Sequence, residues 1–466
     1  MSVNANASIN SSVNKTNKIG FLEKVAYGSG DLASNIIFAS ITSFLVFYYT
    51  DITKVSAAAV GSIMLISRLL DGIVDIIMGL IVDRTKTKYG KARPWILRMC
   101  VPFAISAILL FSVPDIGENA KLIYIFVTYN IVNIIYTSIN IPYGVLSSLI
   151  TQDQYQRSVL NIIRMIFSLV GNIGINMLTL PIVQAFGGGA KGWTMAYTAF
   201  GIIASLLFLA TFFFTKERVG SEGREQEESK KENVPVMVGL KGLFKNKYWV
   251  ILTANGVASG VNLSVAMGVN VYFASYILGN PNLTGTLMIS MTLPMVLALF
   301  VLAPFVKKFG KRNIYLAGIV IQIAGYVVTL LNPLNVSMVL IGAVIRGIGA
   351  APGMGVGFAM IADSVEYGEW KTGNRTEGLI FSAQSYGGKA GTGLGGALIG
   401  WVLAWGGYVG GAMTQSASAI SAIKILFIFI PIAVSIIQFL LLVPYKLDKE
   451  YGDILKELEE RKTKQA

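Results

Sequence analysis

The chain contains twelve apolar segments, each long enough to cross a lipid bilayer as a helix. They fall near residues 26–50, 57–82, 95–114, 121–150, 158–186, 194–215, 248–278, 284–308, 314–332, 336–362, 376–405 and 421–444. About 20 apolar residues span the hydrocarbon core, because each helical residue advances about 1.5 Å. Only 14% of the residues are charged, against roughly 25% in soluble domains. The sequence therefore predicts an all-α membrane protein with twelve transmembrane helices.

A polar stretch at 216–247 divides the twelve segments into two sets of six. The loops after the second and eighth segments both carry an aromatic-Gly-Lys motif, at 89–91 and 309–311. Such repeats are typical of secondary transporters, in which two bundles rock around a central site. We therefore expect five parts: a disordered cytoplasmic arm at 1–20, a first bundle at 21–215, a cytoplasmic linker at 216–247, a second bundle at 248–445 and a cytoplasmic tail at 446–466.

The positive charges indicate the orientation in the membrane. The loop at 84–98 holds six Lys and Arg residues and the linker holds eight, whereas the loops on the other side hold single lysines such as Lys54 and Lys121. Cytoplasmic loops carry an excess of Lys and Arg. Both termini are therefore expected in the cytoplasm of a bacterial cell, with the protein in its inner membrane. The net charge of +13 is attributed to these loops and not to a nucleic-acid partner.

The chain has no histidine and a single cysteine, Cys100. This composition excludes an intrachain disulfide and any metal site built from several cysteines. Proton chemistry would have to use carboxylates or lysine. We expect no cofactor, and no metal ion beyond a possible Na⁺.

The second segment carries Arg68, Asp71 and Asp75. Their spacing of three and four residues places them on one face of a helix. Charged groups inside the bilayer are expensive and mark functional sites by default. Two carboxylates one turn apart could take up and release H⁺ or hold Na⁺. The alternative is a static cluster of ion pairs that holds helices together.

Further polar groups lie within the apolar segments, and their donors and acceptors suit sugar hydroxyls. A single polar residue on a membrane helix can also serve only to hold helices together. Arg164 and Lys389 each need an anionic partner, and Asp71 and Asp75 are the expected ones. The set comprises Asp31, Asn35, Thr137, Asn140, Arg164, Arg346, Gln384 and Lys389, with Tyr143 as the best placed aromatic ring.

Charged residues at the inner ends of the segments suggest a cytoplasmic gate. The basic loop after the second segment would bind acids at the end of the tenth segment when the inner side is closed. The candidates are Asp83, Arg84, Arg157, Asp363, Glu366, Glu369 and Arg375.

Several motifs resemble one family. "DGIVDIIMG" followed by "DRTKTKYGKARPW", "YGSGDLASN", "TSINIPYGVL", "IADSVEYGEWKTGNRTEG" and "FSAQSYGGKAG" are similar to the glycoside–pentoside–hexuronide:cation symporters, the melibiose-permease-like branch of the major facilitator superfamily. The resemblance covers about residues 20–450. It implies the major facilitator fold and sugar uptake driven by H⁺, Na⁺ or Li⁺.

The resemblance also implies roles for individual residues. The cation site falls on Asp71, Asp75 and Thr137. Sugar binding falls on Arg164 and Lys389 and on the positions of Asn35 and Asn140. Asp31, Tyr143 and Gln384 are expected at the sugar site from their residue types. Asn35 and Asn140 replace two sugar-binding aspartates of melibiose permease, and its two sugar-site tryptophans fall on Gly144 and Met354, so melibiose is not the expected substrate. The pattern at Asp31 and Asn35 is closer to that of xyloside, isoprimeverose and glucuronide carriers. Val74 replaces an asparagine that helps to bind Na⁺, which favours H⁺ as the coupling ion.

Two other classes of function compete with this interpretation. An exporter of drugs or other small molecules would share the fold but would need a mainly apolar cavity. A membrane enzyme or sensor would need a nucleotide loop, a metal-ligand cluster or a nucleophile with its base, and the sequence offers none of these. The expected partners are a small sugar, a coupling cation and the lipid bilayer, without a fused phosphotransferase-like domain.

Overall fold

The computed structural model describes residues 19–85, 87–151, 153–218, 242–373 and 377–465. These residues are mainly helical, and none of them lies in a β-strand. Residues 1–18 of the expected N-terminal arm and 219–241 of the expected linker lie outside this part. The all-α prediction is confirmed for the described residues.

The helices follow one another with short connections. α1 (Phe21–Phe47) continues into a π-helical turn at Tyr48–Ile52, and a second π-helical turn, Ile425–Phe429, separates α13 from α14. The other helices are α2 (Ala57–Arg84), α3 (Arg93–Leu110), α4 (Glu118–Ile150), α5 (Gln154–Ala185), α6 (Gly189–Phe214), α7 (Lys247–Gly268), α8 (Asn270–Tyr276), α9 (Leu283–Phe309), α10 (Lys311–Leu331), α11 (Val336–Thr372), α12 (Glu377–Trp405), α13 (Ala417–Lys424), α14 (Ile430–Leu442) and α15 (Leu447–Gln465).

Ten helices of the described part are long and apolar enough to cross a membrane. α7 with α8 forms one of these spans, and α13 with the helical segments after it forms another. The remaining two predicted segments are also helical: 57–82 lies on α2, and the described part of 376–405 lies on α12. Each of the twelve predicted segments therefore falls on helical structure.

The chain packs as two compact units whose boundaries differ from those of the expected bundles. The first unit contains the described residues up to Ile41 and those from Leu70 to 218. The second contains Thr42–Leu69 together with the described residues from 242 onward. The end of α1 and the first half of α2 thus pack with the second half of the chain, although they precede the linker.

The expected cytoplasmic tail folds as α15 and docks on the second unit. Leu447, Ile454 and Leu458 are buried in an apolar cluster that also contains residues of α7, α10 and α11. The Tyr248 hydroxyl donates to Glu450 at 2.8 Å. The apolar positions recur about every four residues, so one face of the helix is buried while its charged face stays exposed.

Two glutamates, Glu217 and Glu23, hold the helix starts at one end of the first unit. The Glu217 carboxylate accepts the backbone N–H groups of residues 91–93, at 2.8, 2.9 and 2.9 Å, and so caps the start of α3. Arg218 forms two 2.8 Å hydrogen bonds with Glu23 at the start of α1. This ion pair raises the pKa of Arg218. The chain that leaves α6 therefore fixes the starts of α1 and α3.

Candidate functional site

Two carboxylates and a hydroxyl converge in the first unit. The Thr137 Oγ1 atom on α4 lies 3.1 Å from Asp71 Oδ1 and 3.0 Å from Asp75 Oδ1 on α2. Asp71 and Thr137 are 4% and 2% exposed. The carboxylates lie on one face of α2 because they are one helical turn apart. The three residues that the resemblance assigns to a cation site therefore do come together.

The chemistry of this cluster suits a small cation. A hydroxyl has one proton, so Thr137 can donate to only one of the two carboxylates at a time while its lone pairs stay free. Two carboxylates and a hydroxyl offer oxygen ligands for a hard cation. They equally offer a proton-binding pair, since carboxylates bind H⁺. That the cluster binds a coupling ion stays a prediction.

An ion pair joins α1 to α5 elsewhere in the same unit. Arg164 Nε lies 3.2 Å from Asp31 Oδ1. The Asp31 side chain is 10% exposed and that of Arg164 is 33% exposed. Each residue lies ten positions after the start of its helix, Phe21 or Gln154, which is about 15 Å along the axis. We expected Asp71 or Asp75 as the partner of Arg164, and the structure gives Asp31.

Neighbouring turns of the same two helices add a second contact. The Asn35 side-chain amide donates to Ser168 Oγ at 2.8 Å and to the Asp31 carbonyl oxygen at 2.9 Å. Asn35 lies four residues after Asp31, and Ser168 lies four residues after Arg164. Residues at this spacing share a helix face. α1 and α5 therefore meet through two polar pairs. The side chain of Arg164 is more exposed than that of Asp31.

The Tyr143 ring packs against the guanidinium of Arg164. The guanidinium carbon lies 5.1 Å from the centre of the Tyr143 ring, a cation–π distance. The ring stacks on Tyr27 at 4.9 Å, and the Tyr143 hydroxyl donates to the Tyr27 carbonyl oxygen at 2.6 Å. Tyr143 is fully buried, so in this conformation its ring positions Arg164 and is not open to a sugar face. Its contact with a sugar stays a prediction.

A glycine makes this packing possible. A Cβ atom on Gly30 would lie 2.5 Å from Tyr143 Cε2, closer than carbon atoms can approach. The motif "YGSGD" thus places a glycine beside Asp31 where the tyrosine ring approaches the α1 backbone.

The other expected sugar-binding residues lie on α4 and, in the second unit, on α12. The Asn140 amide donates to the Tyr136 carbonyl oxygen of its own helix at 3.3 Å. Gln384 and Lys389 lie on α12 and are half-buried. The Gln384 amide packs beside Gly256, and its Oε1 atom is buried without a hydrogen-bond partner in the described part of the chain.

Arg68, the expected third member of the α2 charge cluster, belongs to the second unit. It is 8% exposed. Its Cβ atom lies beside Gly393 of α12, where an added Cβ would approach to 2.7 Å. On α2, Asp71 and Asp75 therefore belong to the first unit, whereas Arg68 belongs to the second.

The expected gate residues are only partly described. Arg375 lies outside the described residues, and so does the side chain of Asp83. Arg84 is exposed, and Glu366 and Glu369 are half-buried. Arg157 Nε donates to the Thr151 carbonyl oxygen at 2.8 Å. Asp363 pairs with Lys311 at 2.5 Å, so this acid has a partner within its own unit, and the gate stays a prediction.

Several residues that shape these sites were not singled out from the sequence. Tyr27 and Ser168 could have been identified from helix periodicity, since each lies four residues from a candidate on the same helix. Lys311 belongs to the motif at 309–311, but the sequence did not indicate its pairing with Asp363, which lies 52 residues away. Arg346 was identified but not explained. It is 3% exposed, and its guanidinium packs 4.8 Å from the Tyr326 ring and 4.9 Å from the Phe427 ring.

Comparison with known proteins identifies the family of this chain. The family described as MFS/sugar transport protein, where MFS stands for the major facilitator superfamily, matches residues 26–449. An isoprimeverose transporter of Lactiplantibacillus pentosus is 33% identical over 97% of this chain and 94% of its own length. The inner membrane symporter YicJ of Escherichia coli is 33% identical over 90% of both chains.

A solved structure supports the fold. The nucleoside transporter NupG superposes with a TM-score of 0.64 over 92% of this chain and the whole of its own, at 15% identity. Proteins of this family are membrane transporters and not enzymes. The chain belongs to the MFS/sugar transport protein family and, within it, to the glycoside–pentoside–hexuronide:cation symporter group.

Proposed function

We propose that this protein is a cation-coupled symporter that imports a glycoside, pentoside or glucuronide by alternating access, with H⁺ as the coupling ion. The observation that carries the proposal is the position of Thr137 Oγ1, which lies 3.1 Å from Asp71 Oδ1 and 3.0 Å from Asp75 Oδ1. Carboxylates held this deep in a membrane protein mark ion pathways. The names of the relatives, which include an isoprimeverose transporter, support a glycoside as substrate.

The sugar would bind near the ion pair of α1 and α5. Arg164 is a planar donor that can form two hydrogen bonds with neighbouring hydroxyls, and Asp31 and Asn35 offer acceptors on the adjacent helix. Asn140, Gln384 and Lys389 would complete the site as the two bundles rearrange. No cofactor takes part in this mechanism. The gate of Asp83, Arg84, Arg157, Asp363, Glu366, Glu369 and Arg375 would close the inner side.

The choice of H⁺ rests on the number of oxygen ligands. Asp71, Asp75 and Thr137 supply carboxylate and hydroxyl oxygens, but Val74 on the same helix supplies none from its side chain, at the position where the resemblance places an asparagine that helps to bind Na⁺. A hard cation prefers several oxygen ligands. A proton needs only one carboxylate, so the cluster is sufficient for H⁺.

The proposed topology has twelve transmembrane helices with both termini in the cytoplasm of a bacterial cell. The basic loop at 84–98 and the eight Lys and Arg residues of 216–247 support this orientation through the positive-inside rule. The apolar helices α2 and α12 would complete the twelve, together with the ten spans described above.

Reconstituted vesicles test this proposal. Purified protein would be placed in liposomes that contain a pH-sensitive dye, and labelled α- and β-xylosides, glucuronides and galactosides would be added outside. We expect one sugar class to enter with protons, so that sugar addition acidifies the lumen and an inward H⁺ gradient drives accumulation.

The controls separate the competing functions. A Na⁺ gradient at constant pH should not drive accumulation, and empty liposomes should show no signal. Accumulation driven by Na⁺ alone would refute the proton coupling. Absence of transport for all of these sugars, with H⁺-driven movement of an unrelated compound out of the vesicles, would refute the importer itself.

A further inference from the structure

A buried carboxylate in the second unit has no place in the proposed transport chemistry. Asp51 lies in the π-helical turn that ends α1 and is 6% exposed. Its Oδ1 atom accepts the Tyr276 hydroxyl at 2.5 Å and the Tyr408 hydroxyl at 2.6 Å. Its Oδ2 atom accepts the Thr50 hydroxyl at 2.7 Å. A π-helical turn inside a helix is rare and often marks a functional position.

The donors come from distant parts of the chain. Tyr276 ends α8, 225 residues after Asp51, and Tyr408 follows α12, 357 residues after it. Thr50 and Tyr272 share a 2.7 Å hydrogen bond, which extends the network by one more hydroxyl. A single carboxylate thus ties the end of α1 to the ends of α8 and α12.

The packing around these hydrogen bonds is equally close. The Tyr408 ring meets the Tyr272 and Tyr276 rings edge to face, at 5.5 and 5.6 Å. A Cβ atom on Gly410 would lie 1.8 Å from the Thr50 carbonyl oxygen, so only glycine allows this approach of the two backbones. Burial, together with the neighbouring Tyr272 and Asp51, raises the pKa of Tyr408. Its phenol therefore stays protonated and able to donate.

The contact continues along α2. The Trp401 indole N–H on α12 donates to Ser62 Oγ at 3.1 Å. A Cβ atom on Gly400 would lie 2.2 Å from the Ala57 carbonyl oxygen. These contacts explain why Thr42–Leu69 belongs to the second unit. Hydrogen bonds of Asp51 therefore hold the end of α1 to the ends of α8 and α12. Close backbone packing holds the start of α2 to α12.

Alternating access requires such a contact to break. In the proposed twelve-helix topology, α1 and α2 belong to the first bundle, α8 and α12 to the second, and Asp51 lies at the outer surface. Two bundles that rock around a central site must separate on one side at a time. Hydroxyl donors suit this task, because water can replace them when the carboxylate becomes exposed, whereas a buried ion pair would leave two charges to solvate.

We propose that Asp51, Thr50, Tyr276 and Tyr408 form a latch that holds the outer side of the transporter closed and that opens when the protein turns outward. This inference rests on the proposed function only in one respect, namely that the transporter opens alternately to the two sides of the membrane. The latch is expected to change the free-energy difference between the closed and open conformations of the outer side. This difference can be measured without sugar or coupling ion.

The test places spin labels on either side of the latch. In a Cys100→Ser background, Ser56→Cys and Met413→Cys would carry the labels, since both residues are exposed. Distances between the labels would be measured by pulsed electron paramagnetic resonance on the full chain in lipid nanodiscs. Tyr276→Phe and Tyr408→Phe remove only the hydroxyls, and Asp51→Asn removes the charge. Tyr155→Phe, which alters an exposed tyrosine on α5, is the matched control.

The parent should show mainly one short distance. The Tyr276→Phe and Tyr408→Phe variants should raise the ratio of long to short distances about tenfold, because each loses a hydrogen bond to a charged group. The control should leave the ratio unchanged. If both variants keep the distance distribution of the parent while eluting as folded protein, the latch is refuted. Absence of sugar uptake by the parent, together with the expected change of distances in the variants, would instead count against the proposed function and leave the latch in place.

Discussion

Arg164 on α5 pairs with Asp31 on α1 across 3.2 Å, and the guanidinium rests on the ring of Tyr143. Three helices of the first unit thus hold one cation, about 15 Å along the axes of α1 and α5 from the starts of these two helices. A charge at this depth is stable because an opposite charge and an aromatic face replace part of its hydration. The same arrangement leaves a third of the arginine side chain exposed, where a ligand can reach it.

The pairing predicts that the shape of this cation matters as much as its charge. Arg164→Lys keeps the positive charge but loses the planar fork that reaches Asp31 and lies flat on Tyr143. We expect sugar binding to weaken by about tenfold to a hundredfold, which corresponds to the roughly 1.5–3 kcal/mol of a hydrogen bond to a charged group. Isothermal titration calorimetry on the purified protein would measure the dissociation constant.

The matched control is Arg461→Lys on α15, whose side chain is half exposed. It should bind sugar like the parent. An unchanged dissociation constant for Arg164→Lys would remove Arg164 from the sugar site.

The hydroxyl of Thr137 is expected to act as an oxygen ligand and not as packing. Thr137→Ser keeps the oxygen, whereas the similarly sized Thr137→Val removes it and keeps the volume. We expect the cation concentration for half-maximal uptake to rise about twofold to tenfold in Thr137→Val, from the loss of roughly 0.5–1.5 kcal/mol. In Thr137→Ser it should stay near the parent value. Initial uptake rates at a series of external pH values would measure it, and equal behaviour of the two variants would show that the hydroxyl has no part in coupling.

Gly30 is predicted to be intolerant of any side chain. Because an added Cβ would lie 2.5 Å from the Tyr143 ring, Gly30→Ala should destabilise the protein by about 1–3 kcal/mol. The displaced ring should also weaken sugar binding. A thermal-shift assay in detergent would show a lower melting temperature.

The control for this variant is Gly174→Ala on α5, where an added Cβ meets nothing within 4 Å. It should leave the melting temperature unchanged or raise it slightly, since alanine favours helix more than glycine does. If Gly30→Ala behaves in the same way, the close approach of Tyr143 to α1 is not a feature of the folded protein.

Helix periodicity was sufficient to predict which residues share a face, but not which faces meet. Asp71 and Asp75 could be placed together from their spacing, and the resemblance added Thr137. The partner of Arg164 could not be predicted, because several carboxylates lie on other helices and the chain does not say which helix packs beside α5. The latch was missed for the same reason: Asp51 is one acid near the end of a helix, and its donors lie 225 and 357 residues away.

The division of the chain also required the structure. Composition marks 216–247 as a linker, and this suggests that everything before it packs as one body. The close backbone contacts of Ala57 with Gly400 assign Thr42–Leu69 to the other unit instead. An apolar segment has the same hydropathy whichever helices it packs against. The hydropathy pattern therefore could not show that Thr42–Leu69 packs with the second unit. The expected domain boundaries stay a prediction for the moving bundles.

The central claim is that Asp71 and Asp75 couple the ion to the sugar. The most direct measurement compares two modes of transport in Asp71→Asn and Asp75→Asn: accumulation driven by an inward H⁺ gradient, and exchange of labelled for unlabelled sugar without a gradient. Asparagine keeps the size of each side chain but cannot bind a proton. We predict that both variants lose accumulation while exchange persists at a measurable rate. Variants that still concentrate the sugar against its gradient would contradict the account.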